Sequence, residues 1–117
     1  TYIDDIVESI YRLIDKPPKS ILKSDDYNLQ PSTSWAPYSI FNIGNSNPKP
    51  LMEYISCLEK SLNIKAKIKY LPMQPGDVQK TYSDTKKLEK LINFKPSTSI
   101  EIGIDKFIKW YKEFYLK

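Results

Sequence analysis

The segment Gln74-Pro75-Gly76-Asp77 combines residue types that could form a small binding site. Proline and glycine favour a tight turn, and a residue without a Cβ lets the backbone approach a ligand closely. A carboxylate held on such a turn can accept two hydrogen bonds from the neighbouring hydroxyls of a ribose. Pro-Gly-Asp also occurs in ordinary turns, so the residues alone leave a ligand-binding loop and a plain turn both open.

A second candidate is the pair Tyr82 and Lys86, which has the Tyr-x-x-x-Lys spacing of the catalytic pair in short-chain dehydrogenases. Nine tyrosines in a lysine-rich chain make such a match expected by chance, and no glycine-rich nucleotide turn precedes it. We interpret the match as a coincidence and predict no catalytic residue in this chain.

Several classes of chemistry are excluded because the chain has no histidine and one cysteine, Cys57. Ser-His-Asp and Cys-His catalysis, an internal disulfide and a thiol-rich zinc site are therefore impossible. The acidic pairs Asp4-Asp5 and Asp25-Asp26 fit no compact cation-binding loop. Asp4-Asp5 is better explained by a helix start, where carboxylates interact favourably with the helix dipole, so we expect no metal site.

The net charge of +4 is unevenly distributed along the chain. Residues 1–59 carry 5 basic and 8 acidic side chains, whereas residues 60–117 carry 13 and 6. A basic half can attract nucleic acid or an acidic small molecule, but a solvated lysine-rich surface explains the same distribution, and we prefer it. No apolar run approaches the roughly 20 residues of a membrane-spanning helix. We therefore predict a cytoplasmic chain that binds neither nucleic acid nor membrane.

Four helices are predicted from apolar spacing and from end signals. The first covers residues 4–15 and is stopped by Pro17-Pro18, and the second covers residues 47–62 and is started by Asn47-Pro48. The third is a short helix that is capped by Asp84 and closed by Asn93. The last is opened by the capping box at residues 98–101. The buried face is predicted to hold Ile3, Ile6, Val7, Ile10 and Ile14 in the first helix, and Ile100, Ile104, Phe107, Ile108, Tyr111 and Tyr115 in the last.

Two segments, 38–43 and 65–71, are predicted to be short strands. Residues 17–37 hold four of the nine prolines and are predicted to be a mobile loop. Two strands are few for an independent sheet, so further strands are expected from elsewhere. The predicted class is α/β, or α+β when the chain is taken alone, with four helices and two to three short strands.

Several motifs occur together in an order and spacing typical of one family: 2–7 (YIDDIV), 38–47 (YSIFNIGNSN), 71–78 (LPMQPGDV), 82–85 (YSDT), 94–99 (FKPSTS) and 107–115 (FIKWYKEFY). Together they resemble the C-terminal third of an extended short-chain dehydrogenase, most closely the UDP-glucuronate 4-epimerases of capsule and lipopolysaccharide synthesis. The resemblance covers the chain apart from residues 17–37.

The resemblance implies that residues 1–117 are the small C-terminal substrate-binding part of a Rossmann-type nucleotide-sugar epimerase. In that family an N-terminal domain binds NAD and carries the catalytic Tyr and Lys, while the C-terminal part closes over the UDP-sugar. The N-terminal NAD-binding domain is absent from this sequence, which begins at Thr1 without an initiator Met and is expected to be a piece of a longer protein. No catalytic or cofactor-binding residue, and no NAD bound by the chain alone, is expected.

The resemblance also implies two substrate-binding residues. Asp77 matches the family's ribose-contacting acid, and Gln74 matches a position held by a phosphate-binding Arg in many relatives and by Gln in the glucuronate branch. The expected partners are a UDP-sugar, bound weakly, an N-terminal NAD-binding domain or chain, and further copies of this chain through exposed apolar surface.

The expected function is a share in UDP-glucuronate to UDP-galacturonate epimerisation, by oxidation and re-reduction at C4, with this chain inactive alone. A non-catalytic binding module and a degenerate remnant are the alternatives.

Overall fold

The computed structural model describes residues 1–19, 37–78 and 80–116. This part of the chain contains α1 (Ile3–Ile14), α2 (Leu51–Leu62), α3 (Lys86–Ile92) and α4 (Ile100–Tyr115). The four predicted helices are therefore confirmed. Residues 20–36 of the predicted mobile loop, with Asp25-Asp26, lie outside the described residues. None of the described helices is long and apolar enough to cross a membrane.

The predicted closing residue of α3, Asn93, is confirmed, and α2 ends in the same way at Asn63, which was not predicted. Asn63 ends α2 with φ 56°, and Asn93 ends α3 with φ 48°, the left-handed conformation that asparagine tolerates. The predicted start of α2 at Asn47-Pro48 is wrong, because the helix begins after Pro50. Lys49 directly precedes Pro50, and the helical backbone conformation is disfavoured for a residue before a proline. The helix therefore does not begin before Pro50.

The starts of α3 and α4 are each displaced by one residue from the prediction. Thr85 rather than Asp84 is the N-cap of α3, although Asp84 Oδ1 accepts a hydrogen bond from the Lys86 amide at 3.1 Å. Ser99 rather than Thr98 is the N-cap of α4, where its Oγ accepts from the Ile102 amide at 3.4 Å. The oxygen-to-amide hydrogen bond is thus made by the predicted Asp84 at the start of α3, and by Ser99, the neighbour of the predicted Thr98, at the start of α4.

The two predicted strands are not present in the described structure. Ser39 makes one isolated bridge, and residues 40–50 and 64–74 contain neither strand nor helix. A strand needs the backbone groups of a neighbouring strand. Segment 39–42 instead contacts α3, with Lys87 Nζ donating to Ser39 Oγ at 2.8 Å. Segment 65–71 is held at its start by Glu59, whose Oε1 accepts from the Ala66 amide at 2.9 Å.

The chain divides into two compact units, of which unit 1 contains α1 and α3. Its described residues are Thr1, 3–19, 37–46 and 83–96. Leu88 and Ile92 of α3 form its apolar core, and α1 contacts α3. The prediction for the buried face of α1 is wrong for four residues: Ile3, Val7, Ile10 and Ile14 are exposed, and Ile6 is partly buried. Asp5 and Ser9 are buried instead.

Unit 2 contains α2 and α4, which contact each other, and the described residues 64–78 and 80–82 between α2 and unit 1's α3 segment in sequence. Ile108 of α4 is buried, as predicted, and Ile100 and Ile104 are partly buried. Phe107, Tyr111 and Tyr115 were also predicted to be buried and are exposed.

Candidate functional site

The 74–77 segment forms a tight turn, as its residue types predict. The Asp77 amide donates a hydrogen bond to the Gln74 carbonyl at 3.1 Å, which places Pro75 and Gly76 at the two central positions. Gly76 has φ +89°. Proline first and a positive-φ glycine second are the signature of a type II turn.

The glycine is needed for this backbone angle and not for closeness to another part of the protein. A Cβ built at Gly76 meets no atom within 4 Å, although any side chain there would be strained by the positive φ. The turn therefore fixes the backbone conformation of the residues that lead to Asp77, and it leaves open space beside Gly76.

Gln74 and Asp77 both lie on the exposed side of this turn. Asp77 is exposed to solvent, and within the described part of the chain its carboxylate forms no ion pair or side-chain hydrogen bond. Met73 and Val78 flank the turn and are also exposed. The turn thus presents one amide and one carboxylate three residues apart, with apolar side chains beside them.

The Tyr82 and Lys86 pair is not arranged on one helix face. Lys86 is the first residue of α3, whereas Tyr82 precedes the helix and belongs to unit 2. The spacing of four residues would bring two side chains together only within a continuous helix.

A polar cluster in unit 1 was missed by the sequence analysis. The Ser46 Oγ donates to the Ser83 carbonyl at 2.9 Å and lies 2.8 Å from Thr85 Oγ1, which in turn donates to Glu89 Oε1 at 2.5 Å. Thr85 is buried, and Ser46 has φ 56°. The signal was Thr85 itself, a hydroxyl residue beside the predicted cap Asp84. The cluster attaches the 44–46 segment to the start of α3.

A shallow cavity of about 260 Å³ lies next to this cluster in unit 1, lined by Ile40, Phe41, Asn42, Asp84 and Lys87. Lys87 Nζ lies 4.7 Å from the centroid of the Phe41 ring and bonds to Ser39 Oγ and to the Ile40 carbonyl. Because these contacts occupy the ammonium group, we assign Lys87 to positioning segment 39–41. Within the described ranges, no group of three Cys, Asp or Glu side chains is arranged to hold a metal ion.

Comparisons with known proteins place the whole chain among longer sequences. It is 44% identical over 117 residues to the CapI protein of Staphylococcus aureus, covering 100% of this chain and 35% of that protein. It is 39% identical over 121 residues to a probable UDP-glucuronate 4-epimerase of Rhizobium meliloti strain 1021, covering 98% of this chain and 34% of the relative. It is 37% identical over 116 residues to UDP-glucuronate 4-epimerase 5 of Arabidopsis thaliana, covering 98% of this chain and 26% of the relative. No family model matches the chain.

The matches confirm the resemblance to the C-terminal part of nucleotide-sugar epimerases of the extended short-chain dehydrogenase class. Within that class the named relatives are UDP-glucuronate 4-epimerases and the CapI protein. The chain spans about a third of the length of the first relatives it matches.

Proposed function

We propose that this chain is the substrate-binding part of a UDP-glucuronate 4-epimerase and acts only together with an N-terminal NAD-binding part. Two kinds of evidence support the proposal: similarity to epimerases over essentially the whole chain, and an exposed carboxylate on a rigid turn at Asp77. The exposed carboxylate of Asp77 is the observation that selects the 74–77 turn as the site.

Asp77 is proposed to accept hydrogen bonds from the two ribose hydroxyls of the UDP-sugar. An ionised carboxylate can accept both at once, and such charge-assisted bonds are stronger than neutral ones. The type II turn supports this role because it limits the conformations of the residue before the carboxylate, which reduces the entropy lost on binding.

Gln74 is proposed to donate from its amide nitrogen to a diphosphate oxygen. Its carbonyl closes the turn, so the backbone is held while the side chain stays exposed. A glutamine donates a neutral hydrogen bond in place of the bidentate charged bond of an arginine, so its share of phosphate binding should be modest.

The chain alone is proposed to be inactive and to bind UDP weakly. NAD, held by the N-terminal part, would supply hydride transfer at C4 of the sugar, and we assign no residue of this chain to hold it. A charged hydrogen bond contributes roughly 1.5–3 kcal/mol net. Association costs roughly 4–15 kcal/mol of rigid-body freedom, so the chain alone should bind UDP no better than at a Kd of about 1 mM.

The decisive experiment is a chimera in which this chain replaces the matching C-terminal third of the Rhizobium meliloti relative. We expect the chimera to epimerise UDP-glucuronate and the 117-residue chain to show no activity with added NAD. Titration calorimetry with UDP should give micromolar binding for the chimera and at best millimolar binding for the chain.

Asp77→Ala in the chimera should weaken UDP binding at least tenfold. Asp15→Ala is the matched control, because Asp15 is an exposed acid in the turn after α1 and its loss changes the net charge equally. An inactive chimera, or one whose UDP affinity is indifferent to Asp77→Ala, would contradict the proposed site. A folded, inactive chimera that does not bind UDP would favour the binding-module or remnant alternatives.

A further inference from the structure

Three consecutive residues that follow α2 all donate hydrogen bonds to one residue of that helix, Glu59. The Glu59 carbonyl accepts from the Ile64 amide at 3.2 Å. The Glu59 carboxylate accepts from Lys65 Nζ at 2.8 Å through Oε2, and from the Ala66 amide at 2.9 Å through Oε1. We call these three hydrogen bonds the Glu59 contacts.

The carboxylate restrains a part of the chain that the backbone bond does not reach. The bond from Ile64, together with that from the Asn63 amide to the Lys60 carbonyl, forms the backbone motif that commonly closes a helix at a left-handed residue. This motif needs no particular side chain at position 59. The bond from the Ala66 amide extends the restraint two residues beyond Ile64, so the side chain of Glu59 fixes the direction in which the chain leaves α2.

The bond to the Ala66 amide is the stronger of the two carboxylate bonds. The Glu59 side chain is 16% exposed, whereas the side chain of Lys65 is 89% exposed. An ion pair with an exposed lysine contributes little, because water competes for both charges. A backbone amide that donates to a largely buried carboxylate makes a charge-assisted hydrogen bond and loses no side-chain freedom.

The residues after the Glu59 contacts lead directly to the 74–77 turn. Residues 63–78 are exposed throughout and belong to unit 2, as Glu59 does. Burial therefore does not hold this segment in place, and its restraints are local. These restraints are the Glu59 contacts at one end, the fixed φ angle of Pro72, and the type II turn before Asp77 at the other end.

We propose that Glu59 is a positioning residue for UDP-sugar binding and acts through Asp77. This inference rests on the proposed function, because it takes Asp77 as the residue that binds the ribose. A binding group has to be held within about 0.5 Å of its productive position. Without the Glu59 contacts the turn keeps its own hydrogen bond but can occupy more positions relative to α2. Binding must then restrict these positions, at a cost in conformational entropy.

The test uses the chimera with the Rhizobium meliloti relative described above. Glu59→Ala should weaken UDP binding about fivefold in calorimetry, and should raise the KM for UDP-glucuronate with little change in kcat, as expected when only binding is affected. Glu59→Gln keeps an oxygen for the Ala66 amide and should weaken UDP binding less than twofold. The matched control is Glu53→Ala, because Glu53 is an acid of the same helix that pairs with Lys49. It should leave the affinity unchanged.

A double variant separates positioning from a general structural role. Glu59→Ala should cause no further loss of UDP affinity in a chimera that already has Asp77→Ala, because the group that it positions is gone. Equal losses with and without Asp77 would overturn the inference, and so would an unchanged UDP affinity in a folded Glu59→Ala chimera.

A second variant tests the same contact from the other side. Ala66→Pro removes the donating amide and leaves the carboxylate in place, so it should weaken UDP binding as Glu59→Ala does. It replaces Glu59→Ala if circular dichroism shows that the latter does not fold. Unchanged affinity of a folded Ala66→Pro chimera would also overturn the inference. Loss of affinity in Asp77→Ala without loss in either of these variants would overturn this inference alone, whereas UDP binding that is indifferent to Asp77→Ala would contradict the proposed site as well.

Discussion

Helices α1 and α4 have similar apolar patterns, yet they differ in which residues of the predicted face they bury. Helix α4 contacts α2 and buries Ile108, while α1 buries Ser9 and exposes Ile3, Val7, Ile10 and Ile14. Helical periodicity therefore indicates that a helix has an apolar face. It does not indicate whether the surface that covers this face lies in the same chain.

The exposed aromatic residues of α4 differ from the exposed aliphatic residues of α1 because their rings contact one another. Trp110 stacks on Phe114 with ring centroids 5.7 Å apart, and Tyr111 lies 5.0 Å from Tyr115. Offset and edge-on ring contacts of this kind are favourable in themselves. The α1 residues are shorter aliphatic groups on the outer side of their helix and remain open to water.

The largest expected effect is on the free energy of unfolding, and it distinguishes the buried residue Ile108 of α4 from the exposed residue Ile10 of α1. Ile108→Ala should lower the free energy of unfolding by about 2–5 kcal/mol, because it leaves a cavity beside α2. Ile10→Ala should change it by less than about 0.5 kcal/mol, because its side chain is half exposed. Urea unfolding followed by circular dichroism measures both. Equal losses for the two variants would mean that α1 is buried like α4.

A smaller effect tests the inward side of α1. Ser9→Leu should destabilise the chain by about 1–3 kcal/mol, because the site has no room for a larger side chain. Ser9→Ala is the control and should be close to neutral, since the lost hydroxyl bonds only to the carbonyl of its own helix. Urea midpoints compare the two variants, and a stabilising Ser9→Leu would show that the isoleucine face turns inward.

The start of α4 offers a test of about 1 kcal/mol. Ser99→Ala should cost that amount by removing the N-cap, while Ser97→Ala at an exposed neighbouring position should cost little. The hydrogen bond from its own backbone amide, followed by that from the Ser99 hydroxyl, lowers the pKa of Glu101. The variant should therefore also raise this pKa, which NMR titration of the Glu101 carboxyl detects. An unchanged pKa together with unchanged stability would remove Ser99 from the capping role.

The smallest effect on stability is expected where the chain leaves α2. The hydrogen bond from Lys65 Nζ, at 2.8 Å, and then that from the Ala66 amide lower the pKa of Glu59 below its usual value of 4.5. This interaction stabilises the folded chain above that value, and its contribution is lost as the pH falls through the lower, folded-state pKa. Lys65→Gln should raise the pKa of Glu59 in NMR titrations, and Lys67→Gln should not. Equal shifts of the Glu59 pKa in the two variants would mean that the loss of any nearby positive charge, and not the loss of the Lys65 contact, raises this pKa.

The turn at residues 74–77 could be predicted because its causes lie within four residues. Proline restricts one backbone angle, glycine allows the positive φ of the next residue, and the closing hydrogen bond joins Gln74 to Asp77. The N-cap of α4 was displaced by one residue because the adjacent Thr98 and Ser99 both have side chains able to cap a helix. Local chemistry does not decide between such neighbours.

What the sequence by itself determined about this chain is the set of its short-range structures: four helices, the left-handed closing residue Asn93 of α3 and the turn that carries Asp77. Each depends on contacts between residues a few positions apart, so the local sequence contains all the residues that determine it. The tertiary structure alone decided that segments 38–43 and 65–71 contain no strand among the described residues beyond the single bridge at Ser39. It also decided that Thr85 meets Ser46 in a partly buried cluster and that Ile3, Val7, Ile10 and Ile14 of α1 are exposed. These outcomes depend on atoms far away in the sequence, because strand pairing and burial both need a second surface.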